Sequence, residues 1–490
     1  MIALSLAAAL AATPARPAPA AFSPEAAEHI VGGALASGLA YARLAELTDT
    51  VGPRLSGTEG AAAAVQWALK RFGEDGLKAH LEKVRANHWE RGEERAEVLA
   101  SPSAAGLKLA VTALGGSIGT PEGGLTAEIV EVSSFDELRA LGGSVRGKIV
   151  LFQHTMSTPA GYGEFAVFRH RGASEAARLG AVAALVRSLA TASLRSPHTG
   201  AMAYAADAPK IPAAAVATED AELVHRLLSR GPVRVHLVLG CRQLAPVESA
   251  NVVAEVRGRE HPEEVVLLGA HLDSWDLGQG AIDDGAGVAI VMEAGRLLAQ
   301  LKTPPRRTVR VVLFMNEENG LDGAKAYAKE HAAEVSRHVA ALEADNGGGR
   351  PLGVGLRAGQ GASALFSPWL GPLAALGSSE LTEGGEGGAD LSPLARALVP
   401  IVSVRQDNVH YFDLHHSAAD TLDKVNPFEL AQVAAEVGWV AYALAEMPRA
   451  LPRPAASATA STPAGAAGPA APLSPASSTT SSAAAAGARK

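Results

Sequence analysis

Val265-Val266-Leu267-Leu268-Gly269-Ala270-His271-Leu272-Asp273-Ser274 is the stretch that decides the fold. Its first six residues form a short, unbroken apolar run, the mark of a strand buried on both faces. The run leads straight into a histidine and an acid, at the kind of strand terminus where α/β sheets hold their ligands. Period-two geometry puts His271 and Asp273 on the same side if the strand persists. The Asp273 carboxylate is then expected to orient the imidazole, as metal-bound histidines require.

Outward from this strand the pattern alternates. Strand Asn251 to Val256 precedes it, and helix Gly287 to Leu301, strand Thr308 to Phe314, helix Leu321 to His331 and strand Val339 to Glu343 follow. Such an order predicts a parallel or mixed sheet covered by helices. Asn426-Pro427-Phe428-Glu429 supplies a capped start for a last apolar helix reaching about Met447. Toward the N-terminus, Ala27 to Leu47 and Ala61 to Phe72 read as helices packed at a sheet edge. Between about Leu125 and Leu239 the texture changes to short β-rich runs, such as Lys148-Ile149-Val150-Leu151-Phe152, which predicts an inserted domain.

The same edge of the sheet collects further acids and histidines. Gly280-Ala281-Ile282-Asp283-Asp284-Gly285-Ala286-Gly287 enters a helix, with Asp283 placed where one carboxylate can bridge two cations. Asn316-Glu317-Glu318-Asn319-Gly320 follows the next strand, Asp345 the one after, and Leu414-His415-His416-Ser417-Ala418-Ala419-Asp420-Thr421 closes the set. A lone histidine or a pair of glutamates carries little weight. Three consecutive strands delivering them to one edge carry much more, because converging carboxylates repel and must take up protons unless cations hold them together. Oxygen and imidazole donors without thiolate suit a hydrolytic dinuclear site.

Composition narrows the class. The chain has 490 residues, 48% hydrophobic and 19% charged, which suits two folded units rather than one. A formal charge of -8, with no basic run, excludes a phosphate-backbone footprint, so nucleic acid is not an expected partner. The one cysteine, Cys241, can make no internal disulfide and reads as a small buried hydrophobe. Met1 to Ala12 is a short apolar run, followed by a Pro and Ala stretch ending in Ala18-Pro19-Ala20, expected as a signal peptide over residues 1–20 and hence a secreted or periplasmic protein. No other stretch has the length of a membrane-spanning helix. The expected division is 22–115 and 246–450 for the main domain, 116–245 for the insertion and 451–490 for a disordered Ala/Ser/Pro-rich tail.

The order His-x-Asp, Asp-Asp-Gly-Ala-Gly, Asn-Glu-Glu-x-Gly, Glu-x-Asp and His-x-x-x-Asp-Thr resembles the M28 zinc peptidases. Within them it is similar to the carboxypeptidase Q group, through Gly52-Pro53-Arg54-Leu55-Ser56-Gly57, His88-Trp89-Glu90-Arg91-Gly92 and Tyr411-Phe412-Asp413-Leu414-His415-His416-Ser417. The likeness runs from about Ala27 to Met447. It implies a three-layer α/β/α zinc-exopeptidase fold with a mixed sheet and an inserted protease-associated domain. It implies two Zn²⁺, one held by His271, Asp283 and Asp345, the other by Asp283, Glu318 and His416. Glu317 becomes the general base, and His416 rather than His415 the ligand, because it stands four residues before Asp420. Tyr411 is a candidate for the oxyanion or substrate, or a structural tyrosine; Asp413 departs from the aromatic expected there. Short peptides are the expected substrates, of aminopeptidase or dipeptidase type, and a homodimer is left open. Two other classes stand beside this one, a glutaminyl cyclase with one zinc and a non-catalytic binding protein, although every expected ligand is present.

Overall fold

The computed structural model describes residues 22–101, 105–192, 194–385 and 387–456. The expected leader, and the expected tail beyond residue 456, lie outside the described residues. Strand His261–His271 lies inside an eight-stranded mixed sheet, between Arg307–Phe314 and His338–Glu343 and parallel to both. Beyond Arg307–Phe314 come Val247–Val256 and the edge strand Lys78–Ala86, both joined antiparallel. Beyond His338–Glu343 come Ile401–Gln406, Pro351–Arg357 and Leu381–Glu383.

The register explains why function gathers at one end. His271 lies beside Phe314, and Gly269 beside Glu343, so the segments carrying Glu317, Glu318 and Asp345 leave the sheet close to His271. Side chains alternate between two cores as the period of two requires. Val266, Leu268 and Ala270 join Val309, Val311 and Leu313 on one face, under helices Ala286–Ala299 and Pro427–Glu446. Leu267 joins Val312, Phe314, Tyr327 and Leu394 on the other. Each large apolar side chain so buried contributes about 1.5–3 kcal/mol. The final helix starts as expected, with Asn426 Oδ1 accepting from the Phe428 and Glu429 amides.

Two expectations change. The first helix is bent by 48° between Pro24–Ser37 and Leu39–Val51. Gly38 stands at the break with φ +59°, a conformation that costs little only without a β-carbon. Among the described residues no single helix is long and apolar enough to cross a membrane. The inserted domain has its own eight-stranded sheet, whose strands lie between Glu94 and Leu239. Glu94–Ala100, Leu107–Leu109 and Val111–Ala113 therefore precede the boundary read at residue 116. Their short, mixed-polarity runs give weak strand signals. Helices Tyr162–Arg178 and Thr218–Leu228 accompany four parallel strands there.

Candidate metal centre

Strand His261–His271 ends on His271 itself, so Asp273 belongs to the loop. His271 Nδ1 lies 3.0 Å from the Asp273 carbonyl oxygen, which can only accept. Nδ1 therefore carries a proton, and Nε2 is the nitrogen turned toward Asp283 and Asp345. The carboxylate expected in that role is 3.9 Å from Nδ1 and accepts instead from the Glu317 amide, at 3.1 Å. The chain turns at His271, bringing the Asp273 backbone rather than its side chain under the ring.

Asp283 occupies the centre. Its Oδ1 is 3.0 Å from His271 Nε2, and its Oδ2 is 3.3 Å from His416 Nε2 and 3.6 Å from His415 Nε2. Backbone anchors fix it there. Asp420 accepts from the amides of Ile282, at 2.6 Å, and Asp283, at 3.2 Å, while Asp284 accepts from those of His271 and Gly287, each at 3.0 Å. A β-carbon on Gly287 would sit 1.8 Å from the Ala344 carbonyl oxygen, so only glycine lets this helix start reach the strand that delivers Asp345.

Asp345 Oδ1 lies 3.6 Å from His271 Nε2, on one side of Asp283. Glu318 Oε2 lies 3.0 Å from His416 Nε2, on the other. Ligand atoms of His271, Asp283 and Asp345 fall within 4.8 Å of one another, as do those of Asp283, His415 and His416. The two rings of His415 and His416 stack at 3.5 Å. Tyr411 packs on His415 with ring centroids 5.1 Å apart. Glu317 is partly exposed beside this set, while Glu318 is buried. Trp275, Gly278, Ser417 and Asp420 wall a cleft at Asp283, Glu318 and His416.

Comparison with known proteins shows the family. Residues 251–440 match the model of peptidase family M28. Over 415 residues, 84% of this chain, the sequence is 43% identical to carboxypeptidase Q of Mus musculus and covers 87% of it. The chain belongs to the M28 peptidase family. Carboxypeptidase Q of Homo sapiens is 42% identical over 84% of this chain and 86% of its own. The crystal structure of an M28 peptidase precursor from Shewanella amazonensis, 41% identical, matches with a TM-score of 0.83 over 88% of this chain and 98% of that one. An Aneurinibacillus aminopeptidase shares the fold, with a TM-score of 0.62 at 20% identity over 88% of this chain and 100% of that one. The protein is thus an M28 metallopeptidase homologous to carboxypeptidase Q.

The residues of this M28 site fit a cation-binding role on their own chemistry. Burial pushes the Glu318 carboxyl up to about 7, helped by the Asp283 charge and opposed by His416. Burial also raises Glu317 well above the usual carboxylate range, with Glu318, Asp345 and Asp283 adding repulsion against the His271 contribution. At His416 burial opposes protonation, but Glu318 and Asp283 outweigh it and lift the ring to about 9. Glu318 Oε1 is buried without a hydrogen-bond partner. These are buried acids and imidazoles whose charges crowd against one another, a condition that divalent cations relieve.

Sequence reasoning gave Arg54, Asp390 and Glu343 no role of their own in the site. Arg54 is fully buried and donates to the carbonyls of Leu272, Gly52, Gln279 and Gly280, tying down the loop after His271. Its motif gives no local sign of this role, because its loop partners lie more than 200 positions away. Asp390 is buried with both carboxylate oxygens unpartnered, close to Glu343, which burial and Asp345 push up to about 8. The glycine-rich stretch before Asp390 approaches so closely that a β-carbon on Gly388 would lie 2.2 Å from Glu343.

Proposed function

We propose that this M28 metallopeptidase is a secreted or periplasmic exopeptidase that hydrolyses dipeptides or short peptides with two Zn²⁺. The supporting observation is the posture of Asp283, whose two oxygens face different histidines, each with a further acid beside it. His271 and Asp345 would hold one ion, Glu318 and His416 the other, and Asp283 both. His416 is preferred to His415 because its Nε2 meets two acids rather than one. When bound, the ions polarise the scissile carbonyl and lower the pKa of a water from 15.7 towards about 7.

Glu317 is the base. Its backbone is fixed by Asp273, and its side chain has no place in either ligand set, so its carboxylate is free to take the proton of the attacking water and return it to the leaving amine. Tyr411 is assigned to the substrate or the oxyanion: it stands next to His415, and burial together with Asp283 and Asp345 keeps its hydroxyl protonated and able to donate.

Hydrolysis of a dipeptide panel and of an N-terminal glutaminyl peptide, with and without chelator, tests this reading. Chelator-sensitive release of free amino acids from dipeptides is expected. Cyclisation of the glutaminyl peptide, or no turnover in ample zinc, would assign the chain to one of the other two classes. For export, the support is the apolar Met1 to Ala12 run and the Ala18-Pro19-Ala20 site. N-terminal sequencing of protein recovered outside the cytoplasm should begin after the leader; protein beginning at Met1 contradicts it.

A further inference from the structure

His416 is a non-glycine residue with φ +60°, a left-handed conformation that surrounding structure must enforce. The contacts that meet it come from the inserted domain. The Thr199 amide donates to the His416 carbonyl at 2.8 Å, and His416 Nδ1 lies 3.3 Å from the Thr199 carbonyl oxygen. Arg169 Nη1, which can only donate, stands farther from Nδ1, at 3.5 Å, so the nearer carbonyl, which can only accept, favours Nδ1 as the protonated nitrogen and turns Nε2 toward Glu318 and Asp283. The Asp273 carbonyl does the same for His271 from two residues away. For His416 the partner is 217 residues distant and in another domain.

Thr199 is itself held in place. It is buried, and its hydroxyl donates to the Ala113 carbonyl at 2.7 Å. The next residue, Gly200, has φ +133°, and a β-carbon on it would lie 2.4 Å from the guanidinium of buried Arg169, which is fixed by Tyr162. From the other side, the loop after His271 locks onto the inserted domain. Trp275 packs its ring against Gly115, and Asp276 pairs with Arg91, which in turn donates to the Ala113 carbonyl of the insertion. The same Trp275 ring stands edge-on to His416 at 5.7 Å.

We propose that the inserted domain completes the metal centre, with Thr199 as a positioning residue that orients His416 through its main chain and Gly200 as the residue that permits the approach. This rests on the reading of His416 as a zinc ligand. It gives the insertion a part in forming the site.

The test is zinc binding by the metal-free full chain, measured by competition with a chromophoric chelator. Wild type is compared with Gly200→Ala, Thr199→Val and His416→Ala, each checked for folding by circular dichroism. Gly200→Ala is expected to weaken one of two ions by about 10–100-fold and to leave the other unchanged. Thr199→Val, which removes only the hydroxyl anchor, should weaken the same ion less. Wild-type affinity for both ions in the two variants, alongside loss of one ion in His416→Ala, overturns the proposal. Equal weakening of both ions also overturns it, since that is what general destabilisation produces. If His416→Ala still binds two ions as tightly as wild type, the ligand assignment fails instead. Should Gly200→Ala not fold, Thr199→Val decides alone.

Discussion

Glu317 and Glu318 are adjacent, both acidic and both raised by burial, yet their surroundings separate their roles. Glu318 reaches His416 at 3.0 Å and carries a buried, unpartnered oxygen. Glu317 spends only its backbone on the framework, donating to Asp273. Glu317→Gln is therefore expected to retain zinc and fold while losing about 10²–10⁴-fold in kcat. Glu318→Gln should instead lower zinc content. Metal analysis beside steady-state kinetics checks both, and near wild-type turnover in Glu317→Gln would remove it from the mechanism. The proposed ligands were legible in the sequence because His271, Glu318 and Asp345 stand at strand ends, Asp283 stands at a helix start and His416 stands four residues before Asp420. The role of Asp273 was not, since whether its carbonyl or carboxylate lies under His271 depends on the residue at which the strand stops. Arg54 was hidden for a related reason: a cation that satisfies backbone carbonyls leaves no complementary acid in the sequence to point to it.

At the scale of elements, helices Ala286–Ala299 and Pro427–Glu446 bring the core and the site together. Gly287 opens the first against Ala344, the residue before Asp345. Alanine favours a helix over glycine by about 1 kcal/mol, but overpacking costs about 1–3 kcal/mol, and contact at 1.8 Å makes the second effect win. Gly287→Ala should accordingly lower Tm and zinc affinity together; a Tm at or above wild type contradicts this account. In the second helix Glu436 is fully buried, and burial pushes its carboxyl up to about 9 despite Ser378 and Arg405. Folded protein then holds this proton over a pH range in which unfolded protein has lost it. Its contribution is full below the unfolded value of 4.5 and is lost as pH rises through about 9. Glu436→Gln should thus gain on wild type as pH rises, by roughly 5 °C in Tm at about pH 8 and by little near pH 4. A gap in Tm that does not change with pH would show that the carboxyl is not held protonated. The βαβα order and the Asn426 cap were readable from apolar period and turn chemistry, whereas the bend at Gly38 depended on a φ value that a glycine permits without requiring.

For the whole molecule, two sheets meet around one set of side chains. The main sheet aligns three parallel strands so that His271, Glu317, Glu318 and Asp345 leave it together. The insertion closes on the same place through Thr199 and through Gly115, against which the Trp275 ring packs. Sequence predicted both units, but not this contact, because Thr199 acts through its backbone and any residue type carries a carbonyl. Strands such as Glu94–Ala100, which share the insertion's sheet, were not read from the sequence, since they mix charged and small residues in a run without a strong period. All of these contacts serve a single arrangement, a shared carboxylate between two histidine-bearing sides. Anomalous diffraction at the zinc edge, from crystals of the full chain grown with zinc, tests it most directly. Two peaks are expected, one on each side of Asp283, beside His271 and Asp345 and beside Glu318 and His416. A single peak, or peaks that leave Asp283 without contact, would contradict it.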